Sequence, residues 1–437
     1  MIANPPYVRQ ESIRDFKPLL KKARYEVYNS TSDIYTYFYE KSYQILKPEG
    51  FSTFITSNKW MRAKYGENLR KFFKNKTALL NIIDFSGYKV FEATVDTNIL
   101  IFKRETPPLN HILSVVNIQT DFANDTELDV YSKRHHLSIV QKEIDSKCFS
   151  FADDATMKIK FKMEANGTPL KDWDTKIYRG IITGFNKAFT IDTITKERLI
   201  REDSKSSEII KPILRGRDVY RYSYKWAGLW LIKIESRWTN KNRNKKAPEA
   251  FFKESYPAVY KHLKTFGNTE GKGKGLYNRD DQGDHWWELR DCDYYPEFKK
   301  DKIIYSDIGK RLSFVYEPSG KFLNNTGYFI NNGNKYLLAI LNSRVINFYY
   351  GQISSQLGNA ALRSFTIYIE QLPISNIPET EQKPFISLVD QILTLKKFDP
   401  QADTSALESE IDQLVYKLYD LTPEEIKIVE GKNANTD

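Results

Sequence analysis

Strand-like and helix-like patterns of hydrophobic residues alternate in the N-terminal part of the chain. Apolar runs typical of buried strands cover residues 51–57, 79–85 and 95–102. A helical spacing, which predicts that one helix face packs against the protein, links Ile34, Phe38, Lys41 and Ile45. A second helical pattern covers residues 65–73. Strands that alternate with helices predict a largely parallel sheet covered by helices.

Polar and helix-breaking residues mark the ends of these elements. Ser30-Thr31-Ser32-Asp33 offers capping side chains for the first helix, and a Lys-Pro-Glu-Gly run ends it. Thr106-Pro107-Pro108 breaks the alternation of strands and helices. We therefore predict a domain of residues 1–108 and interpret residues 109–167 as a connector.

The remainder of the chain has a different pattern. Residues 168–375 contain many short β-rich runs between Gly, Asn and Asp turns, which predicts an irregular sheet domain. Residues 376–437 return to helical spacing, and a heptad-like series predicts a helical hairpin: Leu407, Ile411, Leu414 and Leu418. The expected fold class is an α/β sheet domain, then a β-rich α+β domain, then C-terminal helices.

The composition points to a polyanionic partner. The 437 residues carry a formal net charge of +10, and aromatic residues make up 14% of them. Lys and Arg neutralise phosphates and aromatic rings stack on bases, so this composition favours a nucleic acid partner. Charge alone does not separate such a protein from a merely basic one, and a single Lys or Arg is more often a phosphate contact or a solvated side chain than a base reader.

Several other functional classes find little support. Cys148 and Cys292 lie far apart and the five histidines lack metal-ligand spacing, so we expect neither a disulfide framework nor a metal site. The two isolated cysteines favour a protein of the reducing cytoplasm. No stretch approaches the roughly 20 apolar residues of a membrane span, so we expect no membrane partner. A nuclease-like Glu297-Phe298-Lys299 string is weak, because Pro296 interrupts the strand that should carry it.

The first residues carry the most specific chemistry. They read as the end of a buried strand that runs into Asn4-Pro5-Pro6-Tyr7. The two prolines fix the backbone and remove N–H donors, so the carbonyls around Asn4 and Pro5 stay as fixed acceptors beside the Asn4 amide and an aromatic ring. Such a turn suits a planar group with an exocyclic amine.

This turn resembles the catalytic motif of amino-group DNA methyltransferases that act on adenine N6. Further motifs of the γ class follow in the family's order, namely a helix start at residues 33–38, LKPEG, ITSNKW and VFEATVDTNILIFK. The resemblance implies part of an S-adenosylmethionine-dependent methyltransferase sheet that acts on an adenine flipped out of duplex DNA.

The resemblance also assigns roles to individual residues. The Asn4 side-chain oxygen and the Pro5 carbonyl accept hydrogen bonds from the adenine amino group, which orients its lone pair toward the methyl donor. Tyr7 stacks on one face of the base and Phe91 on the other, and Phe38 packs against the cofactor adenine. From the residues alone, Phe91 and Phe38 are also compatible with ordinary core positions.

One feature departs from the family. Its members carry a Gly-rich cofactor loop upstream of this motif, whereas the Gly-rich run of this chain, residues 271–275, follows no apolar strand. We expect the chain to be the C-terminal part of a larger methyltransferase, of type IIG or a related restriction-modification system. A missing N-terminal region would then supply the cofactor half and, in type IIG, a nuclease. The chain alone should bind S-adenosylmethionine weakly or not at all and be inactive.

The second half resembles TaqI-like C-terminal target-recognition domains. The resemblance rests on PLKDWDTKIYRGIITGFNKAF, IIKPILRGRDVYRY, SYPAVYKHL, WWELR, KIIYSDI and YLLAILNSRVINFYY, in that order. It implies binding to double-stranded DNA, and basic clusters nominate the contacts: Arg215, Arg217, Arg221, Arg243, Lys245, Lys246, Lys272 and Lys274. Trp286 and Trp287 are expected in the core.

Two functions follow from these patterns. The first is a fragment of a site-specific DNA adenine-N6 methyltransferase. The alternative is a DNA-specificity module without catalytic activity of its own.

Overall fold

A computed structural model describes residues 1–85, 88, 90–91, 96–118, 122, 127–149, 151, 154–268, 275–354, 356–357 and 361–431. The chain divides into two compact units. The first unit contains Met1–Phe161, Phe348–Arg363 and the segment from Pro423, and the second contains Lys162–Asn347 and Ser364–Thr422. Each unit has its own sheet structure, so the mixed α/β fold expected from the sequence is confirmed.

The described strands are, in chain order, β1 (Ile2–Ala3), β2 (Phe51–Ser57), β3 (Ala78–Asp84), β4 (Thr97–Lys103), β5 (Ile112–Asn117), β6 (His136–Val140), β7 (Thr168–Pro169), β8 (Ile177–Arg179), β9 (Thr190–Asp192), β10 (Ile210–Leu214), β11 (Val219–Tyr220), β12 (Ser223–Tyr224), β13 (Leu229–Ile232), β14 (Lys302–Ser306), β15 (Ile308–Gly309), β16 (Phe314–Glu317), β17 (Phe322–Leu323), β18 (Gly327–Asn331), β19 (Gln356–Leu357), β20 (Ala361–Arg363) and β21 (Pro373–Ile374).

The described α-helices are α1 (Lys17–Lys22), α2 (Tyr35–Ile45), α3 (Glu67–Lys76), α4 (Leu128–His135), α5 (Asp154–Asn166), α6 (Asn186–Phe189), α7 (Thr193–Glu202), α8 (Ser206–Ile209), α9 (Trp238–Asn242), α10 (Pro248–Ser255), α11 (Pro257–Lys264), α12 (Lys335–Asn342), α13 (Arg344–Ile353), α14 (Thr366–Ile369), α15 (Glu379–Phe398), α16 (Ser405–Leu418) and α17 (Pro423–Val429).

The first unit is built on a six-stranded sheet with the order β1-β2-β4-β3-β5-β6. Two pairs of neighbouring strands are parallel, β1 with β2 and β3 with β5. β4 is antiparallel to its neighbours β2 and β3, and β6 is antiparallel to β5. The expectation of a largely parallel sheet is therefore wrong. β4 follows β3 along the chain and pairs with both β3 and β2 in the opposite direction.

Aromatic side chains pack the α2 and α3 face of this sheet. Tyr39 of α2 contacts Phe54 of β2, with ring centroids 5.2 Å apart, and Phe73 of α3 at 5.0 Å. The face of α2 predicted to pack is not the buried one, since Phe38 is 39% exposed and Ile45 56%. Helical spacing located the helix correctly, but the tyrosines rather than the aliphatic residues fill the core.

Residues 109–167 are not a simple connector. β5 and β6 extend the sheet of the first unit, and Leu113, Val115 and Phe149 lie in its core. The alternating apolar residues of β5 are buried next to β3, which is the usual position of a strand inside a sheet.

The second unit contains many short strands, as predicted, but its described helices hold more residues than its described strands, so the unit is not β-rich. One four-stranded sheet has the order β17-β10-β13-β9 and another the order β16-β14-β18-β8. β14 is central and almost wholly buried, and α12 has all but its first residue buried. The predicted C-terminal helices are confirmed as α15, α16 and α17. In the described part of the chain, no helix has both the length and the apolar character to cross a membrane.

Candidate functional site

The turn Asn4-Pro5-Pro6-Tyr7 lies at the end of β1, at one edge of the six-stranded sheet. Ile2 and Ala3 pair in parallel with Thr53 and Phe54 of β2. Pro5 is buried while Asn4 is exposed. The Asn4 carboxamide makes no hydrogen bond within the described part of the chain. Its oxygen and nitrogen are therefore available to an external ligand.

Both the hydroxyl and the ring of Tyr7 are held by neighbouring residues. Its hydroxyl donates to the carbonyl oxygen of Ile55, at 3.1 Å. Its half-buried ring contacts Tyr35 edge-on, with centroids 6.3 Å apart, and Phe91 at 6.4 Å. Burial raises the pKa of Tyr7, so the hydroxyl stays protonated and keeps donating at neutral pH.

The structure brings together Tyr7 and Phe91, the two residues expected to stack on a base. Their ring planes are inclined by 56°. A base between two parallel rings needs a centroid separation of about 7 Å, which is two contact distances of about 3.5 Å. The rings thus lie near the required spacing, and Phe91 has to rotate before a base fits between them.

A group of polar residues that the sequence did not nominate for this role holds the loop after this turn. The Asp33 carboxylate accepts from the backbone N–H of Gln10, at 2.9 Å, instead of capping α2, whose N-cap residue makes no side-chain bond. The hydroxyls of Tyr35 and Tyr65 lie 2.9 Å apart. The capping prediction was therefore wrong, because the carboxylate reaches across to a segment far away in sequence.

A second polar group joins the ends of β2 and β3. The fully buried Asp84 carboxylate accepts from the Asn58 amide at 2.7 Å and from the Arg62 guanidinium at 2.9 Å. Asp84 is the last residue of β3, from which the chain continues toward Phe91. Buried carboxylates are stable only when they are paired, so these bonds fix where that loop starts.

Phe38, the residue expected to pack on a cofactor, lies on the exposed side of α2. Its side chain is 39% exposed, which is high for a phenylalanine in a helix that packs on a sheet. The side chain is accessible to an aromatic ligand or to another protein segment. The sequence alone is also compatible with a core position for Phe38, and the exposure of its side chain disfavours that alternative.

The basic residues nominated for DNA contact fall into two groups. Arg215 is held by Asp218, with nitrogen–oxygen distances down to 2.7 Å, and Arg221 by Glu408 at 2.8 Å. Both ion pairs are at least half-buried, which favours a structural role. The other described candidates extend from the surface or near it: Arg217, Arg243, Lys245 and Lys246. Lys272 and Lys274 lie outside the described residues.

The nuclease-like string around Glu297 makes ordinary hydrogen bonds within the second unit. Among the described residues, no three His, Cys, Asp or Glu side chains come close enough to hold a metal ion. Glu297 lies in a 3-10 helix, Tyr295–Lys299, and bonds to Lys300 and Asn331. Trp287 is 2% exposed, so its prediction as a core residue is confirmed.

Two family models match the chain in the regions just described. Residues 1–91 match the Eco57I restriction-modification methylase model, and residues 211–374 match the TaqI-like C-terminal specificity domain model. The first match contains the Asn4–Tyr7 turn and Phe91, and the second contains the surface-exposed basic residues. The chain thus combines a methylase-like segment with a specificity-domain-like segment.

Curated relatives align with most of this chain. The chain is 24% identical to the type II methyltransferase M.BstVI of Geobacillus stearothermophilus, over 98% of this chain and 74% of that protein. It is 22% identical to the type II methyltransferase M.XhoI of Xanthomonas vasicola, over 88% of this chain and 70% of that protein. Its homologues are therefore type II methyltransferases.

A solved structure shares the fold. The type IIL restriction-modification enzyme MmeI, in complex with DNA, superposes with a TM-score of 0.61 at 12% identity. The match covers 100% of this chain and 55% of that one, so the chain spans about half the length of this structure.

Proposed function

We propose that this chain is the catalytic-motif and target-recognition part of a DNA methyltransferase of the γ class, which methylates adenine N6 in a restriction-modification system of type IIG or a related type. One observation carries the proposal. The exposed, unbonded Asn4 carboxamide lies at the end of a sheet strand, next to Tyr7 and Phe91, in a segment that resembles a restriction-modification methylase.

The residues of the turn explain how an adenine would be held. After the base leaves the DNA stack, the Asn4 Oδ1 atom and the Pro5 carbonyl accept hydrogen bonds from its amino group. These bonds stabilise the positive charge that develops on the nitrogen during methyl transfer. Tyr7, fixed through its bond to the Ile55 carbonyl, presents one stacking surface, and Phe91 presents the other after rotation.

The chain offers part of a site for S-adenosylmethionine, which would supply the methyl group. The exposed Phe38 ring is suited to pack on the cofactor adenine, and Asn4 lies at the end of the strand where the methyl acceptor is expected. The described residues contain no strand followed by a Gly-rich loop that would hold the rest of the cofactor. We therefore propose weak or no binding by the chain alone.

The open edge of the sheet supports a separate cofactor-binding half. No strand pairs with the other side of β1 among the described residues. The Ile2 side chain is 87% exposed and Phe51, at the start of neighbouring β2, is 53% exposed. Apolar side chains at an unpaired edge favour association with another strand. The relatives are also longer than this chain, which leaves room for such a half.

Calorimetry and complementation test the proposal together. Titration of the chain with S-adenosylmethionine should give no micromolar binding, and such binding would refute the need for a second half. Addition of the cofactor-binding region, by fusion or in trans, should produce methyl transfer to adenine in DNA. Asn4→Ala should abolish this transfer, because the amino group loses its side-chain acceptor, while DNA binding should persist.

The alternative is a DNA-specificity module without chemistry, which the match over residues 211–374 favours. It predicts sequence-dependent DNA binding with no methyl transfer under any complementation. Methylation that depends on Asn4 would exclude it. Methylation at a base atom other than adenine N6 would instead overturn the adenine assignment.

A further inference from the structure

The second unit contains a short basic segment with unusual backbone geometry. It consists of α9 and the turn that follows, residues 237–246, and we call it the basic turn. Three of its non-glycine residues have positive φ: Arg237 at 67°, Asn244 at 44° and Lys245 at 69°. Left-handed conformations are unfavourable for such residues and persist only where surrounding contacts enforce them, often at functional sites.

A fully buried carboxylate enforces the start of the basic turn. Glu288 accepts from the backbone N–H of Thr239 at 2.8 Å and from that of Arg237 at 3.2 Å. These donors belong to the N-cap residue and the first turn of α9, where backbone N–H groups have no partner within the helix. The helix therefore begins at a position set by the protein core.

The segment that carries Glu288 is itself fixed by a buried arginine. Arg279 is 4% exposed and donates to the carbonyls of Asp281, Trp286 and Glu288. Trp287, next to Glu288, donates from its indole to the Thr239 hydroxyl at 2.8 Å. The basic turn thus rests on a rigid base rather than on a free loop.

Arg243 is the one arginine of the basic turn whose guanidinium is held by two hydrogen bonds within the described residues. Its Nε donates to Asn240 Oδ1 at 3.0 Å, and its Nη1 to the Lys246 carbonyl at 2.9 Å. Asn240 is held in turn by Asp284, at 2.7 Å. Nη2 makes no bond within the described part of the chain, so one edge of the guanidinium remains available.

We infer that Arg243 reads a guanine in the major groove of the target DNA, while Lys245 contacts a phosphate. This inference rests on the proposed function. A fixed guanidinium suits the two acceptors of guanine, O6 and N7, because little freedom is lost when the bonds form. Lys245 is exposed, and a single ammonium suits a phosphate, which carries no sequence information.

The test compares three variants of the full chain on duplexes chosen by selection from a random pool. Arg243→Lys keeps the charge but loses the planar fork, and should reduce discrimination at one G·C position by about tenfold. Lys245→Gln should weaken binding to all duplexes alike. It should also lower the salt slope, which is the slope of the logarithm of the binding constant against the logarithm of salt concentration, by about one. Glu288→Gln should impair the same base position as Arg243→Lys, since an amide cannot accept both N–H groups, and should leave the salt slope unchanged.

The outcomes separate this inference from the proposed function. If the wild-type chain prefers particular sequences but Arg243→Lys keeps every preference, Arg243 does not read a base and the inference fails alone. If Lys245→Gln removes the same preference as Arg243→Lys, the assignment of phosphate and base contacts is wrong. If the wild-type chain binds all duplexes equally, both the inference and the target-recognition proposal fail. Thermal unfolding of each variant identifies any loss of folding.

Discussion

Tyr7 illustrates how one side chain combines several roles. Its hydroxyl bond to Ile55 ties the turn to the strand next to β1, while its ring is steadied edge-on by Tyr35. Tyr35 is buried and its hydroxyl pairs with that of Tyr65. A ring held in this way loses little freedom when it stacks on a base, which is the physical basis of preorganisation.

Lys302 and Glu317 form an ion pair without solvent exposure in the second unit. They face each other across β14 and β16, with Nζ 2.7 Å from Oε2. Glu317 also accepts from the backbone N–H of Ser319 and of Lys321. Burial alone would raise the pKa of Glu317, but the Lys302 ammonium outweighs it and holds that pKa below its ordinary value.

We predict that Lys302→Met lowers the free energy of unfolding by about 3–5 kcal/mol, because it leaves a buried carboxylate without its cation. The double variant Lys302→Met, Glu317→Leu should recover part of this loss. Urea unfolding at neutral pH measures both. Equal losses in the single and double variants would contradict the assignment of the cost to an unpaired charge.

The pH dependence of this pair has a definite sign. A carboxyl whose folded-state pKa is depressed contributes its full stability above its ordinary pKa, here 4.5, and loses it as the pH falls through the folded-state value. The wild-type chain should therefore lose stability below pH 4.5 more steeply than the double variant. Parallel pH profiles would show that the pair does not contribute.

At the scale of elements, the existence of strands and helices was easier to predict than their faces. The bounds of β2 match the predicted run, although its buried face consists of Ser52, Phe54 and Thr56 and is therefore mostly polar. The buried face of α2 was missed, since large tyrosines fill the core and Phe38 remains exposed. The reversal of β4 depends on long-range pairing, which local patterns do not encode.

Close packing between elements also constrains Gly66, which precedes α3. A Cβ atom at this position would overlap the backbone oxygen of Trp60, which also accepts a hydrogen bond from Arg70. Gly66→Ala should therefore destabilise the chain by about 1–3 kcal/mol through overpacking. The shift of the urea unfolding midpoint measures this loss, provided that the m-value is the same for the variant and the wild-type chain.

Gly351 in α13 provides a matched control, because a Cβ placed there has no described atom within 4 Å apart from its chain neighbours and the backbone of the helix itself. Gly351→Ala should stabilise the chain by about 0.5–1 kcal/mol, the usual gain in a helix interior. A similar loss of stability in both variants would argue that general helix effects, rather than the Trp60 carbonyl, decide the result.

At the scale of the whole molecule, the sequence nominated candidate site residues but not the contacts that support them. Asn4, Tyr7 and Phe91 were nominated from a short motif and its order in the chain, and the structure brings Tyr7 and Phe91 together. Asp33 and Glu288 were not nominated for their contacts, because each acts through a backbone group distant in sequence. The basic clusters were visible in the sequence. Only the structure identifies which of their Lys and Arg side chains already pair with an acidic residue.

The open edge of β1 supplies the last prediction, which concerns the proposed association with a cofactor-binding half. Ile2 is 87% exposed in this chain, so Ile2→Lys should change its free energy of unfolding by less than about 0.5 kcal/mol. If a cofactor-binding half adds a strand beside β1, the same lysine would be buried there without a partner, and methyl transfer after complementation should be lost. Leu109→Lys, at a position 72% exposed in the same unit, is the matched control and should leave complementation intact. Full methyl transfer by the Ile2→Lys variant would contradict assembly at this edge and would place the second half elsewhere on the protein.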